Sequence, residues 1–93
     1  MFLHLGNGIA VRTSEIIMIN CYDLFKNEAG RKFLTSCQKQ GRLVNTLIIG
    51  SKSSSNDLIK SIIVTEKKLY LSAISPLTLM RRSRRGFYTL DSD

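Results

Sequence analysis

The 93-residue sequence has no tryptophan, one histidine, one proline and two cysteines. Each scarcity excludes something. Cys21 and Cys37 are too few for a disulfide framework, so two free thiols in a reducing compartment are expected. Both fall on apolar stretches and read as buried, inert thiols. The single histidine, His4, shares a strand face with Phe2 and reads as a packed or edge residue. His4, Cys21 and Cys37 do not lie at metal-motif spacing, so no metal is expected. No apolar run approaches the roughly 20 residues that a bilayer span needs. "MFLHLGNGIAV" lacks a basic n-region and breaks at Gly6 and Gly8, so it does not read as a signal peptide. The expected location is the cytoplasm, without a membrane partner.

Catalytic signals are equally scarce. The seven Asp and Glu are scattered, with no paired carboxylates at helical spacing on an apolar helix. No Ser–His–Asp or Cys–His arrangement stands out. The early glycines do not form a dinucleotide loop, because Val11 holds the third glycine position and no strand-then-helix context follows. The expectation is a protein that is not an enzyme, with no cofactor and no small-molecule substrate. The aromatic pattern of an RNA-recognition sheet is also missing. Tyr70 and Tyr88 have the chemistry to stack on bases, but their aliphatic neighbours favour core packing.

What remains is small, apolar enough to fold, and basic. Hydrophobic residues make up 43%, without a long low-complexity tract or internal repeat, so one globular domain over residues 1–93 is expected. Residues 86–93 read as a C-terminal extension. A core of this size is marginal, and burial shared between subunits would help it. Fourteen Lys and Arg against seven acids leave a net charge of +7, which suits nucleic acid, an anionic lipid surface or an acidic protein.

Asn7-Gly8 between two apolar runs predicts a two-residue hairpin joining strands at 2–5 and 9–11. The β-branched "EIIMINCY" predicts a mostly buried strand from 16 to about 21. In "NEAGRKFLTSCQKQG", Asn27 suits an N-cap and Gly41 a stop, with Ala29, Phe33, Cys37 and Leu34 as the apolar stripe. Arg31, Lys32, Lys39 and Gln40 face water in that reading. Gly30 is a weak point in the first turn. "RLVNTLIIG" and "LIKSIIVT" predict two strands joined by a polar loop at 50–57, and "EKK" turns into "LYLS" as a second hairpin. In "LIKSIIVT", alternation puts Lys60 on the face of Leu58, Ile62 and Val64. Ser75-Pro76 opens a last helix that Gly86 ends, and "FYTL" is a further short strand.

That last helix carries "RRSRR", with Arg81, Arg82, Arg84 and Arg85 within five residues. At about 100° per residue the four cover a little under half the circumference. Leu79 and Met80, with Phe87, fall opposite, and Leu77 lies under the arginine arc one turn earlier. The helix can therefore dock by its apolar stripe and hold guanidiniums outward. A solvated basic helix end is the plain alternative. Guanidinium forks pair bidentately with phosphate oxygens, which favours a phosphate partner.

"FLHLGNGIAVRTSEIIMI", "QKQG" and "IKSIIVTEKKLYLSAISPLTLMRR", in that order, resemble the bacterial extracellular-matrix regulatory proteins of the RemA and RemB family. The likeness covers about residues 1–85, and the "LHLG" start and basic end favour the RemB branch. It implies an α+β subunit similar to LytTR-type domains: a small, mostly antiparallel sheet of about five short strands, one central helix and a short C-terminal helix. It also implies a regulator of biofilm matrix genes that binds double-stranded DNA and assembles into a ring-shaped homo-oligomer. Two positions depart from the family pattern. RemA-type members carry an arginine where this chain has Glu15, and an arginine-rich stretch where it has "SSSNDLIK". Lys60 matches a basic position there, and Lys52 and Arg12 are nearby candidates to substitute. The expected DNA contacts are therefore Arg81, Arg82, Arg84, Arg85, Lys60, Arg12 and Lys52. The competing expectation is an adaptor that binds no DNA, whose basic helix meets a partner protein or a neighbouring subunit.

Overall fold

The structure, a computed structural model, describes residues 1–49, 52–53 and 58–83. It is an α+β fold built on a four-stranded sheet. The first two strands, β1 (Phe2–Gly6) and β2 (Ile9–Arg12), form an antiparallel ribbon closed at Asn7 and Gly8. Both turn residues have positive φ, 50° and 79°, as the Asn-Gly pair predicts. A 3₁₀ turn over Thr13–Glu15 leads into β3 (Ile16–Cys21), and a second over Tyr22–Phe25 leads to helix α1 (Glu28–Lys39). Then follow β4 (Leu43–Asn45), a small hairpin of β5 (Ile48–Ile49) and β6 (Lys52–Ser53), β7 (Ser61–Thr65), β8 (Leu69–Ser72) and helix α2 (Pro76–Ser83).

The central sheet runs β3-β7-β8-β4, antiparallel except for the parallel β4–β8 pair at one edge. Its two faces carry separate cores. On one, Ile19 and Ile63 meet Leu3, Leu5 and Val11 of the ribbon and Leu79 of α2. On the other, Ile62, Leu69 and Leu71 meet Leu34 and Cys37 of α1. β7 is thus buried on both faces, which is why "SIIV" shows no polar alternation.

The expected α+β fold, with a mostly antiparallel sheet and two helices, is present, in eight short described strands. Several local expectations are corrected. "RLVNTLIIG" is not one strand, because the Asn45 side-chain oxygen accepts the Leu47 N–H at 2.9 Å and turns the chain after β4. The strand read from Leu58 starts at Ser61, and Lys60 is an exposed residue just before it. The buried stripe of α1 is Gly30, Leu34 and Cys37, while Ala29 and Phe33 are exposed. Cys21 is exposed and only Cys37 is buried. The "FYTL" strand and the Gly86 stop fall outside the described residues.

Buried hydroxyls lock the layers together. The Ser72 hydroxyl donates to the Leu5 carbonyl at 2.7 Å, and Thr46 Oγ1 donates to the Leu71 carbonyl at 2.8 Å. Asn7 Nδ2 donates to the Thr46 carbonyl, so the ribbon turn is held onto the segment that follows β4.

Candidate nucleic-acid interface

α2 is built as the sequence predicts. The Ser75 hydroxyl accepts the Thr78 N–H at 3.3 Å, and Pro76 takes the first helical position, where no N–H is needed. The helix lies against β1 and β3. Leu79 is 0% exposed and Met80 packs partly against the same core. Ser83 is also buried, its hydroxyl returned to the Met80 carbonyl at 2.8 Å. With that side committed, Arg81 and Arg82 are exposed in the last turn. Leu77 is 58% exposed, as its place one turn ahead of the arginines requires. Cations at this end also complement the helix dipole. Arg84 and Arg85 lie outside the described residues.

The other candidate cations do not gather at that helix end. Arg12, the last residue of β2, is exposed and opposite Phe2, with its guanidinium 5.6 Å from the ring centroid. It shares with α2 the side of the central sheet that the ribbon covers. Lys60 is pinned elsewhere by its backbone. Its N–H donates to the Ser72 carbonyl at 2.8 Å and its carbonyl accepts the Tyr22 N–H at 2.9 Å. That puts it beside the strand leading into α2, whereas Arg81 and Arg82 sit about 10 Å further along the helix axis. Lys52 belongs to β6, opposite Ile49.

A second gathering of cations went unread in the sequence. Arg42 Nε donates to the Lys67 carbonyl at 3.1 Å, which joins the end of α1 to the β7–β8 turn where Lys67 and Lys68 are exposed. "EKK" signalled only a turn, and nothing local told that this turn meets the end of a helix 25 residues earlier.

Among the described residues the ion pairs are Lys26 with Asp23 at 3.0 Å and Lys32 with Glu28 at 3.5 Å. Arg12, Lys60, Arg81 and Arg82 have no carboxylate partner among those residues. No group of three or more His, Cys, Asp or Glu able to hold a metal occurs among them either. His4 is exposed on the outer face of the ribbon. No described helix is long and apolar enough to cross a membrane.

Comparison with known proteins adds one match. Residues 2–82 fit the family model for RemA-like chains, described as extracellular matrix regulatory protein A-like. The matched stretch includes Arg12, Lys60, Arg81 and Arg82, and it does not separate the branches of the family. No curated protein matches the chain.

Proposed function

The chain belongs to the RemA-like family of extracellular matrix regulatory proteins, and from that premise we propose that it is a non-enzymatic transcriptional regulator of biofilm matrix genes. In this reading it works in the cytoplasm, binds double-stranded DNA through arginine–phosphate contacts, and acts as a homo-oligomer in ring form. A LytTR-like subunit belongs to the same proposal. The observation that carries it is α2, which spends Leu79 and Ser83 on docking and leaves Arg81 and Arg82 exposed without an acidic partner among the described residues. Guanidinium forks fit phosphate oxygens bidentately. Such contacts fix position on the duplex and carry no base code, so selectivity rests on DNA shape. Self-assembly is supported by exposed Phe2, Ile17, Leu24 and Leu58, much apolar surface for a lone small domain. Repeating one modest basic surface around a ring raises the effective concentration of contacts.

A duplex-DNA anisotropy titration at several salt concentrations tests this. If each subunit neutralises about two phosphates and an arc of four engages, the log–log slope is near −7 or steeper. Arg81→Ala/Arg82→Ala lowers affinity for all sequences alike. A slope near zero overturns the reading.

One observation favours the adaptor reading. Leu77 and Arg81, four residues apart, give α2 an outer side that is both apolar and basic, a mixture suited to a protein surface. If the wild-type protein shows no salt-dependent duplex binding and Arg81→Ala/Arg82→Ala changes the assembled mass, the adaptor reading stands instead.

A further inference from the structure

Gly41, at φ 72°, ends α1 with a pair of capping bonds. The Gly41 N–H donates to the Gln38 carbonyl at 3.0 Å and the Arg42 N–H to the Cys37 carbonyl at 2.9 Å. Arg42 is therefore placed by the helix ending itself. Its carbonyl accepts the Leu69 N–H at 2.9 Å, its Nε donates to the Lys67 carbonyl at 3.1 Å, and its Nη1 reaches Gln40 Oε1 at 3.4 Å. The guanidinium is held in one orientation, and no described hydrogen bond uses Nη2. An immobilised fork loses little further freedom on meeting a ligand.

Lys67 and Lys68 flank this fork and are exposed. The turn that carries them does not depend on their side chains. Thr65 holds it, its hydroxyl donating to the Lys68 carbonyl at 2.8 Å and accepting the Lys68 N–H at 3.0 Å. Lys39, exposed in the last turn of α1, continues the positive surface from Arg42 onto the helix. There Arg31, Thr35, Ser36 and Lys39, with the Glu28–Lys32 ion pair, line a shallow groove of about 440 Å³. Helix-dipole compensation explains Lys39 but not Arg42, whose Nε is spent on the turn. Among the described residues no carboxylate pairs with Arg31, Lys39, Arg42, Lys67 or Lys68, although Glu15 and Glu66 line one pocket with Lys67 and Lys68.

We propose that this corner, Arg42 with Lys67, Lys68 and Lys39, is a second phosphate-binding surface whose ligand is the backbone of duplex DNA. The proposal rests on the DNA-binding reading above and adds to it a surface away from α2. α1 covers the sheet face of Ile62, Leu69 and Leu71, and α2 covers the face of Ile19 and Ile63. Arg42 and Lys39 therefore belong to the α1 side of the four-stranded sheet, whereas Lys67 and Lys68, in the β7–β8 turn, also line a pocket with Ser14, Glu15, Ile17 and Tyr70 at the start of β3. Charge complementarity selects the ligand: a fixed fork, three lysines and the hydroxyls of Thr35 and Ser36 supply donors along a track.

The test compares the full chain with Lys67→Ala/Lys68→Ala and with Arg81→Ala/Arg82→Ala in duplex-DNA titrations across salt. Loss of two phosphate contacts from even one engaged subunit lowers the slope by about 1.8 and the affinity at 0.1 M salt about 60-fold. The two pairs share no hydrogen bond or ion pair among the described residues, so the losses of the two variants are expected to add on a logarithmic scale in the quadruple variant. Lys67→Arg/Lys68→Arg restores binding, which separates lost charge from a disturbed turn. An unchanged slope in Lys67→Ala/Lys68→Ala, with binding weakened in the α2 variant, overturns this surface and leaves the DNA-binding reading standing. A wild-type protein without salt-dependent duplex binding overturns both. Binding lost in the alanine variant and not restored by arginine assigns the lysines to the fold and also overturns the proposal.

Discussion

The backbone of Gly30 lies directly against the backbone of Phe25. A Cβ at position 30 would sit 2.5 Å from both the Phe25 Cα and its carbonyl oxygen. Helix propensity alone says that alanine should improve α1 here by about 1 kcal/mol. The contact reverses the sign, because backbone atoms cannot swing aside as a flexible side chain can, and overpacking costs about 1–3 kcal/mol. Gly30→Ala is expected to be destabilising in urea unfolding, by up to about 2 kcal/mol net, since a 2.5 Å approach to backbone puts the cost at the upper end. A variant as stable as the parent would mean that α1 and the Tyr22–Phe25 turn sit further apart than the structure has them.

Ser72 supports two backbone groups at once. Its hydroxyl donates to the Leu5 carbonyl at 2.7 Å and accepts the Ile74 N–H at 3.1 Å. Ser72 is fully buried, so no water replaces it. Ser72→Ala leaves both groups short of a partner, at about 1–3 kcal/mol each. Thr46 Oγ1, 3.5 Å from the same Leu5 carbonyl, offsets part of that loss. The expected net cost is about 2–3 kcal/mol, read as a lower denaturation midpoint with an unchanged m-value.

Features written in adjacent residues were legible. Asn7-Gly8 specifies its hairpin through backbone preference, Ser75-Pro76 its helix start, and the β-branched run at 16–21 its strand, with the same bounds in the structure, although only Ile16 and Ile19 of that strand are buried because it lies at the sheet edge. Features set by distant contacts were not. The apolar stripe of α1 falls one residue away from Ala29 and Phe33 because Gly30 decides how the helix seats on Phe25. Phe33 is left beside Phe25, ring centroids 6.1 Å apart, at the surface rather than in the core. The parallel β4–β8 pair joins residues 26 apart in the chain, such as Leu43 and Leu69, with no local signal. The same holds at the candidate interface. The exposure of Arg81 and Arg82 followed from helical periodicity, whereas the Arg42–Lys67 junction needed the tertiary fold.

Cys21 and Cys37 differ in access. Cys21 ends an edge strand and is exposed, while Cys37 is buried between α1 and the sheet. A thiol reagent added to the native protein is expected to label Cys21 promptly and Cys37 only on unfolding. Cys21→Ser removes the fast phase. If both thiols react at one slow rate, either the helix opens as a unit with β3 or a neighbouring subunit covers Cys21, and repeating the labelling at high dilution distinguishes the two.

β3 exposes the edge that self-assembly would use. It lies at the end of the four-stranded sheet and pairs only with β7 among the described strands. The ladder slips between Ile16 and Met18, so Ile17 is the bulged residue, and it stands 57% exposed beside Met18 at 41%. Soluble chains usually guard such an edge with lysine or proline, and "IIMINC" has neither. An unguarded apolar edge is what a second copy would cover. The wild-type protein is therefore expected to run well above its 10.5 kDa monomer mass in light scattering. Ile17→Lys places a charge on that edge and should shift the mass toward the monomer at equal concentration, while circular dichroism keeps the same strand and helix content. Met18→Lys should act in the same direction but less strongly, because less of that side chain is exposed. If both variants keep the wild-type mass, the copies meet elsewhere, and the exposed side of α2 around Leu77 becomes the next surface to test.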